Sequence, residues 1–85
     1  MAKIEIYTTK TCPFCHAAKD LLDEKNISYI ETDVGSDPAL RAAMKVRANN
    51  RNSVPQIFID DAHIGGCDDL FALQQANKLD ALVAS

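Results

Sequence analysis

Apolar and polar positions alternate over residues 3–8, with Ile4 and Ile6 on one face and Glu5 and Tyr7 on the other. A period of two predicts a half-buried strand. The period then changes. Phe14, Ala17, Ala18, Leu21 and Leu22 fall at i, i+3, i+4, i+7 and i+8, which is the apolar stripe of a helix. That stripe stops near Lys25-Asn26, where asparagine suits a helix C-terminus. Residues 27–33 predict a second strand with weaker alternation. Ser36-Asp37-Pro38 supplies an N-cap followed by proline at the first helical position, and Leu40, Ala43 and Met44 form the apolar face of the second helix.

Asn49-Asn50-Arg51-Asn52 is a polar break. Beyond it, residues 56–60 include Ile57-Phe58-Ile59, apolar on both faces, which predicts a central, buried strand. Asp60-Asp61-Ala62 reads as a short turn, and His63-Ile64 as a brief edge strand ending at Gly65-Gly66. Residues 68–83 predict one last helix, with Asp68 and Asp69 in its first turn. The expected order is β-α-β-α-β-β-α, an α/β arrangement with one four-stranded mixed sheet flanked by three helices.

With 85 residues the chain is expected to form a single domain over 1–85. Hydrophobic residues make up 47%, enough for a core without covalent staples. The three cysteines are an odd number, and two of them lie close together, which argues against a disulfide framework and for a reducing compartment. Nine Lys and Arg against twelve Asp and Glu give a formal charge of −3, with no basic footprint for nucleic acid. No apolar run is long enough to cross a bilayer, and the strand pattern starts too early for a signal peptide. A cytoplasmic protein is expected.

The chemistry concentrates in Cys12-Pro13-Phe14-Cys15. Thiolates, not thiols, attack disulfides. Cys12 closes the loop after the first strand, and Pro13 favours the first turn of the helix. Unpaired N–H groups and the positive end of the helix dipole favour an anionic sulfur there, and Lys10 adds a nearby cation. Cys12 is therefore the expected nucleophile. Cys15, one helical turn on and less exposed, is the expected resolving thiol. A C-x-x-C pair is also half of a zinc site. The other possible ligands are His16, His63 and Cys67, at spacings unusual for zinc, so a redox pair beside a βαβ pattern is the better match and no metal is expected.

Three motifs in this order carry a resemblance. Thr11-Cys12-Pro13-Phe14-Cys15, Val54-Pro55 and Gly65-Gly66-Cys67-Asp68-Asp69-Leu70 resemble a dithiol glutaredoxin of the small bacterial type, with a thioredoxin fold. The likeness spans essentially the whole chain, and residues 54–60 run Val-Pro-Gln-Ile-Phe-Ile-Asp as in such proteins. It implies that Pro55 is cis and that the backbone of Val54, with Ser53 beside it, pairs with glutathione as an added strand would. It also implies that Cys67, Asp68 and Asp69 meet the γ-glutamyl end, where helix N–H groups suit a carboxylate and an aspartate suits the ammonium. Taken alone, both aspartates would read as helix-start residues. Lys10, Phe14 and Arg41 complete the implied glutathione contacts, with Arg47 and Arg51 competing for the role given to Arg41.

Two positions depart from the family pattern. Thr9 stands where a lysine is frequent, three residues before the nucleophile, and Phe14 replaces the usual tyrosine. Cys67 reads as a buried small residue, and His16 and His63 receive no catalytic role. The resemblance implies a monomeric oxidoreductase that holds no bound cofactor and uses glutathione as co-substrate. Its partners would be glutathionylated or disulfide-containing proteins, with glutathione reductase and NADPH behind them. Two alternatives are an electron donor dedicated to ribonucleotide reductase and a glutathione-ligated [2Fe–2S] carrier. The intact Gly65 to Asp69 feature weighs against the first, and Pro13 against the second.

Overall fold

A computed structural model describes residues 2–84. Strand β1 spans Ile4–Thr8, β2 Ile30–Asp33, β3 Gln56–Ile59 and β4 Ala62–Gly65. Helix α1 spans Pro13–Glu24, α2 Pro38–Arg47, α3 Cys67–Gln75 and α4 Leu79–Ala84. The four strands form one mixed sheet in the order β2-β1-β3-β4. Parallel pairing joins β1 to β2, and antiparallel pairing joins β1 to β3 and β3 to β4.

Strand register follows from the apolar pattern. Ile4 lies opposite Ile59 and Ile6 opposite Ile57, so four isoleucines share one sheet face. Ala18, Leu21 and Leu22 of α1, Leu70 of α3, and Leu79 and Val83 of α4 bury that face. Every residue of β3 is buried, as an interior strand covered on both sides requires. On the opposite face, Glu5 pairs with Phe58 and Phe58 with His63. Here Arg47 of α2 reaches down to the sheet. Its two terminal nitrogens donate to the Glu5 carboxylate at 2.9 and 2.7 Å and to the Tyr7 hydroxyl at 3.1 Å. The guanidinium lies 4.0 Å from the centre of the Phe58 ring.

Local signals set the ends of elements. Pro13 opens α1, and Asn26 leaves it with φ of 57°, a left-handed conformation asparagine tolerates. Asp37 caps α2 by accepting the N–H groups of Ala39 and Leu40 at 3.0 and 3.1 Å, with Pro38 following. Asp60 and Asp61 both have positive φ, 49° and 68°, which suits the two-residue hairpin turn between β3 and β4.

Two expectations need correction. The last helix is not continuous: α3 ends before Ala76, and Asn77, with φ of 58°, separates it from α4. The backbone N–H groups of Ala76, Asn77 and Lys78 turn back to carbonyls of α3, completing its C-terminus. The described chain thus carries four helices rather than three, in the order β-α-β-α-β-β-α-α. The break turns Leu79 and Val83 into the core. The second strand also starts later than residue 27. Ile27 donates its N–H to the Leu22 carbonyl at 2.9 Å and packs in the core, so it belongs to the exit from α1.

Candidate active site

Cys12 stands between β1 and α1 as the N-cap residue, with φ of −94° and ψ of 110°. Its Sγ accepts the N–H of Cys15 at 3.2 Å, the interaction that a helix start offers to a thiolate. In the thiol form the same sulfur donates to the Val54 carbonyl at 3.5 Å. Cys12 is partly exposed, whereas Cys15 is fully buried. Burial pushes the Cys15 thiol up to about 12, reinforced by its hydrogen bond with Cys12, while a Thr9 backbone hydrogen bond and Lys19 oppose the shift. At neutral pH, Cys15 therefore keeps its proton while Cys12 faces solvent.

Beside this pair lies a cleft of about 200 Å³. One wall is Ser53, Val54 and Pro55, joined by a cis Val54–Pro55 peptide bond. The facing wall is the start of α3, with Gly66, Cys67, Asp68 and Asp69; Phe14 and Arg51 contribute the rest. Phe14 is 63% exposed, an apolar surface offered to solvent next to the cysteines. Asp69 accepts the N–H of Gly66 at 2.8 Å and pairs with Arg51 at 3.3 Å. The Gly66 N–H is the main influence holding the Asp69 carboxyl below the usual range; burial opposes it, and the Arg51 cation adds to the lowering. Cys67 is buried, and burial pushes its thiol up, helped by Asp68 and Cys12.

Lys10 and Arg41 do not join this cleft. They line a second, larger one of about 470 Å³ with Thr9, Thr11, Asp33, Gly35 and Ser36. The Arg41 guanidinium bonds to the Asn52 side-chain oxygen at 3.2 Å and to its carbonyl at 2.7 Å, one residue before Ser53. The structure thus gathers Phe14, Ser53, Val54, Cys67, Asp68 and Asp69 on one side and puts the two cations elsewhere. Arg51 takes the place near Asp69, while Arg47 is engaged with Glu5 and the sheet. Arg51 is the less visible lining residue, since the sequence offers it only as a competitor of Arg41 and not as a partner of Asp69. Asn49 and Asn50, with φ of 57° and 70°, hinted at the reversal that brings Arg51 round, but not at its target.

Among the described residues no three of His, Cys, Asp and Glu cluster as metal ligands would. The His16 ring meets the Lys10 carbonyl at 3.2 Å, and His63 is held by Gln56 and Asn49.

The glutaredoxin family model matches residues 4–64. This chain belongs to the glutaredoxin family. It is 51% identical to glutaredoxin 3 of Escherichia coli strain K12, over 98% of this chain and 99% of that protein. A probable glutaredoxin of Synechocystis sp. is 56% identical over 99% of this chain and 96% of its own length. Among solved structures, the glutaredoxin of Brucella melitensis superposes with a TM-score of 0.86 at 48% identity, covering 98% of this chain and 89% of that one. The fold is therefore the thioredoxin fold, and the protein is a glutathione-dependent thiol–disulfide oxidoreductase. Within it, Cys12 and Cys15 lie together at the start of α1. No helix among the described residues is long and apolar enough to cross a membrane.

Proposed function

We propose that the 1–85 chain acts as one glutaredoxin domain in which Cys12 is the nucleophile, Cys15 resolves, and the cleft beside Pro55 receives glutathione. The observation that carries this is the position of the Cys12 sulfur, held by a helix-start N–H and facing the Val54 carbonyl at the edge of the cleft. An extended thiol peptide entering there meets the Val54 backbone as a strand meets a sheet edge. The γ-glutamyl carboxylate suits the N–H groups opening α3 and the Arg51 guanidinium, and its ammonium suits Asp68. The glycine carboxylate suits Arg41, whose hydrogen bonds go to the neutral Asn52, and Lys10 in the neighbouring cleft.

Two branches follow. With a glutathionylated protein, the Cys12 thiolate attacks the glutathione sulfur and the protein thiolate leaves, taking a proton. A second glutathione thiolate then displaces Cys12, forming glutathione disulfide. With a protein disulfide, Cys12 forms a mixed disulfide, Cys15 loses its proton and attacks Cys12, and the second protein thiol leaves. Two glutathione molecules reduce the resulting Cys12–Cys15 bond, and glutathione reductase with NADPH restores the pool. Partner proteins are glutathionylated or disulfide-bonded, ribonucleotide reductase among the candidates. The chain works in the cytoplasm as a monomer and needs no bound cofactor.

The test is an assay coupled to glutathione reductase and NADPH, with a glutathionylated peptide and with a disulfide-bonded protein. Cys12→Ser should lose both activities, and Cys15→Ser should keep the first and lose the second. Retention of both activities by both variants would refute the assignment.

A further inference from the structure

Behind the Ser53–Val54 wall runs a chain of side-chain hydrogen bonds that the thiol chemistry does not use. Gln56, fully buried on β3, turns its amide nitrogen back across Pro55 to the Ser53 carbonyl at 3.0 Å and the Ser53 hydroxyl at 3.3 Å. Its oxygen faces Nε2 of His63 on β4 at 2.7 Å. The other ring nitrogen, Nδ1, lies 3.0 Å from the Asn49 amide nitrogen in the loop after α2. Donors and acceptors along this chain have one consistent assignment. The Gln56 nitrogen donates to the Ser53 carbonyl, so its oxygen must accept, and His63 Nε2 must carry a proton. Nδ1 then presents a lone pair to the Asn49 amide. The whole chain is satisfied only when His63 is neutral.

We propose that His63 and Gln56 are positioning residues that hold the Ser53–Val54 edge for substrate, and that acid releases this edge by protonating His63. Protonation leaves the Nε2–H bond to Gln56 in place but sets an N–H on Nδ1 against the Asn49 amide N–H groups, so Asn49 would have to turn or withdraw. Acid thus acts on the edge through the loop that runs from Asn49 through Asn52 into Ser53. The Phe58 ring packs 5.1 Å from the imidazole. The charged groups acting on it are Arg51, which opposes protonation, and Asp69, which favours it. Burial is the largest influence, and together they keep His63 below its ordinary value of 6.5. The sign is that of a depressed base: the positioned edge is intact above the folded-state value and lost as pH falls through it.

This inference rests on the reading that glutathione pairs with the Val54 edge. Its test is KM and kcat for a glutathionylated reporter peptide at pH 7.5 and 5.5, with the imidazole tautomer read by nitrogen-15 NMR. His63→Leu should raise KM roughly three- to tenfold at pH 7.5, as loss of one hydrogen bond allows, with kcat nearly constant. His63→Gln, which keeps a donor toward Gln56 and does not titrate, should restore the neutral-pH KM. It should also lack the acid rise in KM shown by the wild type. An Nδ1–H tautomer, or equal acid dependence in the wild type and His63→Gln, would overturn the proposal. Asp68→Asn, at the cleft residue assigned to the γ-glutamyl ammonium and outside the relay, separates the two readings. If it raises KM and His63→Leu does not, the relay alone falls; if neither moves KM, the cleft assignment falls and takes the relay with it.

Discussion

Gly65 ends β4 with φ of 122°, a backbone region that side-chain-bearing residues rarely enter. A β-carbon built there would collide with the Asp69 carboxylate and come within 2.9 Å of the Arg51 terminal nitrogen. The arginine tip is flexible and can withdraw at little cost. The carboxylate cannot, because it holds the Gly66 N–H at the start of α3. Gly65→Ala therefore imposes backbone strain of about 1–3 kcal/mol and removes a helix-start bond of about 1 kcal/mol. The Asp69–Arg51 pair, half-exposed on both sides, adds little. A total near 2–4 kcal/mol corresponds to a fall in Tm of about 10–30 °C for a domain of this size. Thermal unfolding by circular dichroism would measure it. The collision is isolated by repeating the substitution in an Asp69→Ala background, where only the backbone strain remains. The Gly65→Ala penalty should shrink there by about 1 kcal/mol, a coupling expected of touching residues. A variant melting within about 3 °C of the parent, or equal penalties in both backgrounds, would refute the reasoning.

Two other outcomes follow from burial and charge. Brief iodoacetamide treatment of the reduced protein at pH 7 should add a single group, on Cys12, because Cys15 is buried with its thiol raised to about 12 and Cys67 is buried and also raised; early modification of Cys15 in the mass spectrum would contradict this. Glu5→Gln should cost about 1–2 kcal/mol, since the Glu5 side chain is only 18% exposed and accepts two Arg47 hydrogen bonds. Those bonds lower the Glu5 carboxyl from its ordinary 4.5, so its contribution is present above 4.5 and lost as pH falls through the lower folded-state value. The gap between wild type and variant in urea unfolding should therefore close in acid, and a gap independent of pH would refute the pairing.

Where the chain's own periodicity or turn chemistry decides a feature, the sequence by itself determined it. The isoleucines of β1 and β3, the stripe of α1, the caps at Pro13 and Asp37-Pro38, and the central position of β3 all follow from residues close together in the chain. So did the pairing of Cys12 with Cys15, because a helix start and a three-residue spacing are local. Asn77 carries the same left-handed signal as Asn26, yet the break between α3 and α4 was missed, since the apolar residues on either side continue a helical pattern. The tertiary structure alone decided which distant groups meet. Arg41, Arg47 and Arg51 are alike as sequence, but one is fastened to Asn52, one to Glu5 over the Phe58 ring, and one to Asp69 at the cleft. Long side chains on a polar stretch have no periodic signature for their partners. Sheet register and the loop after α2 set those distances, and with them the division of the predicted glutathione contacts between two clefts.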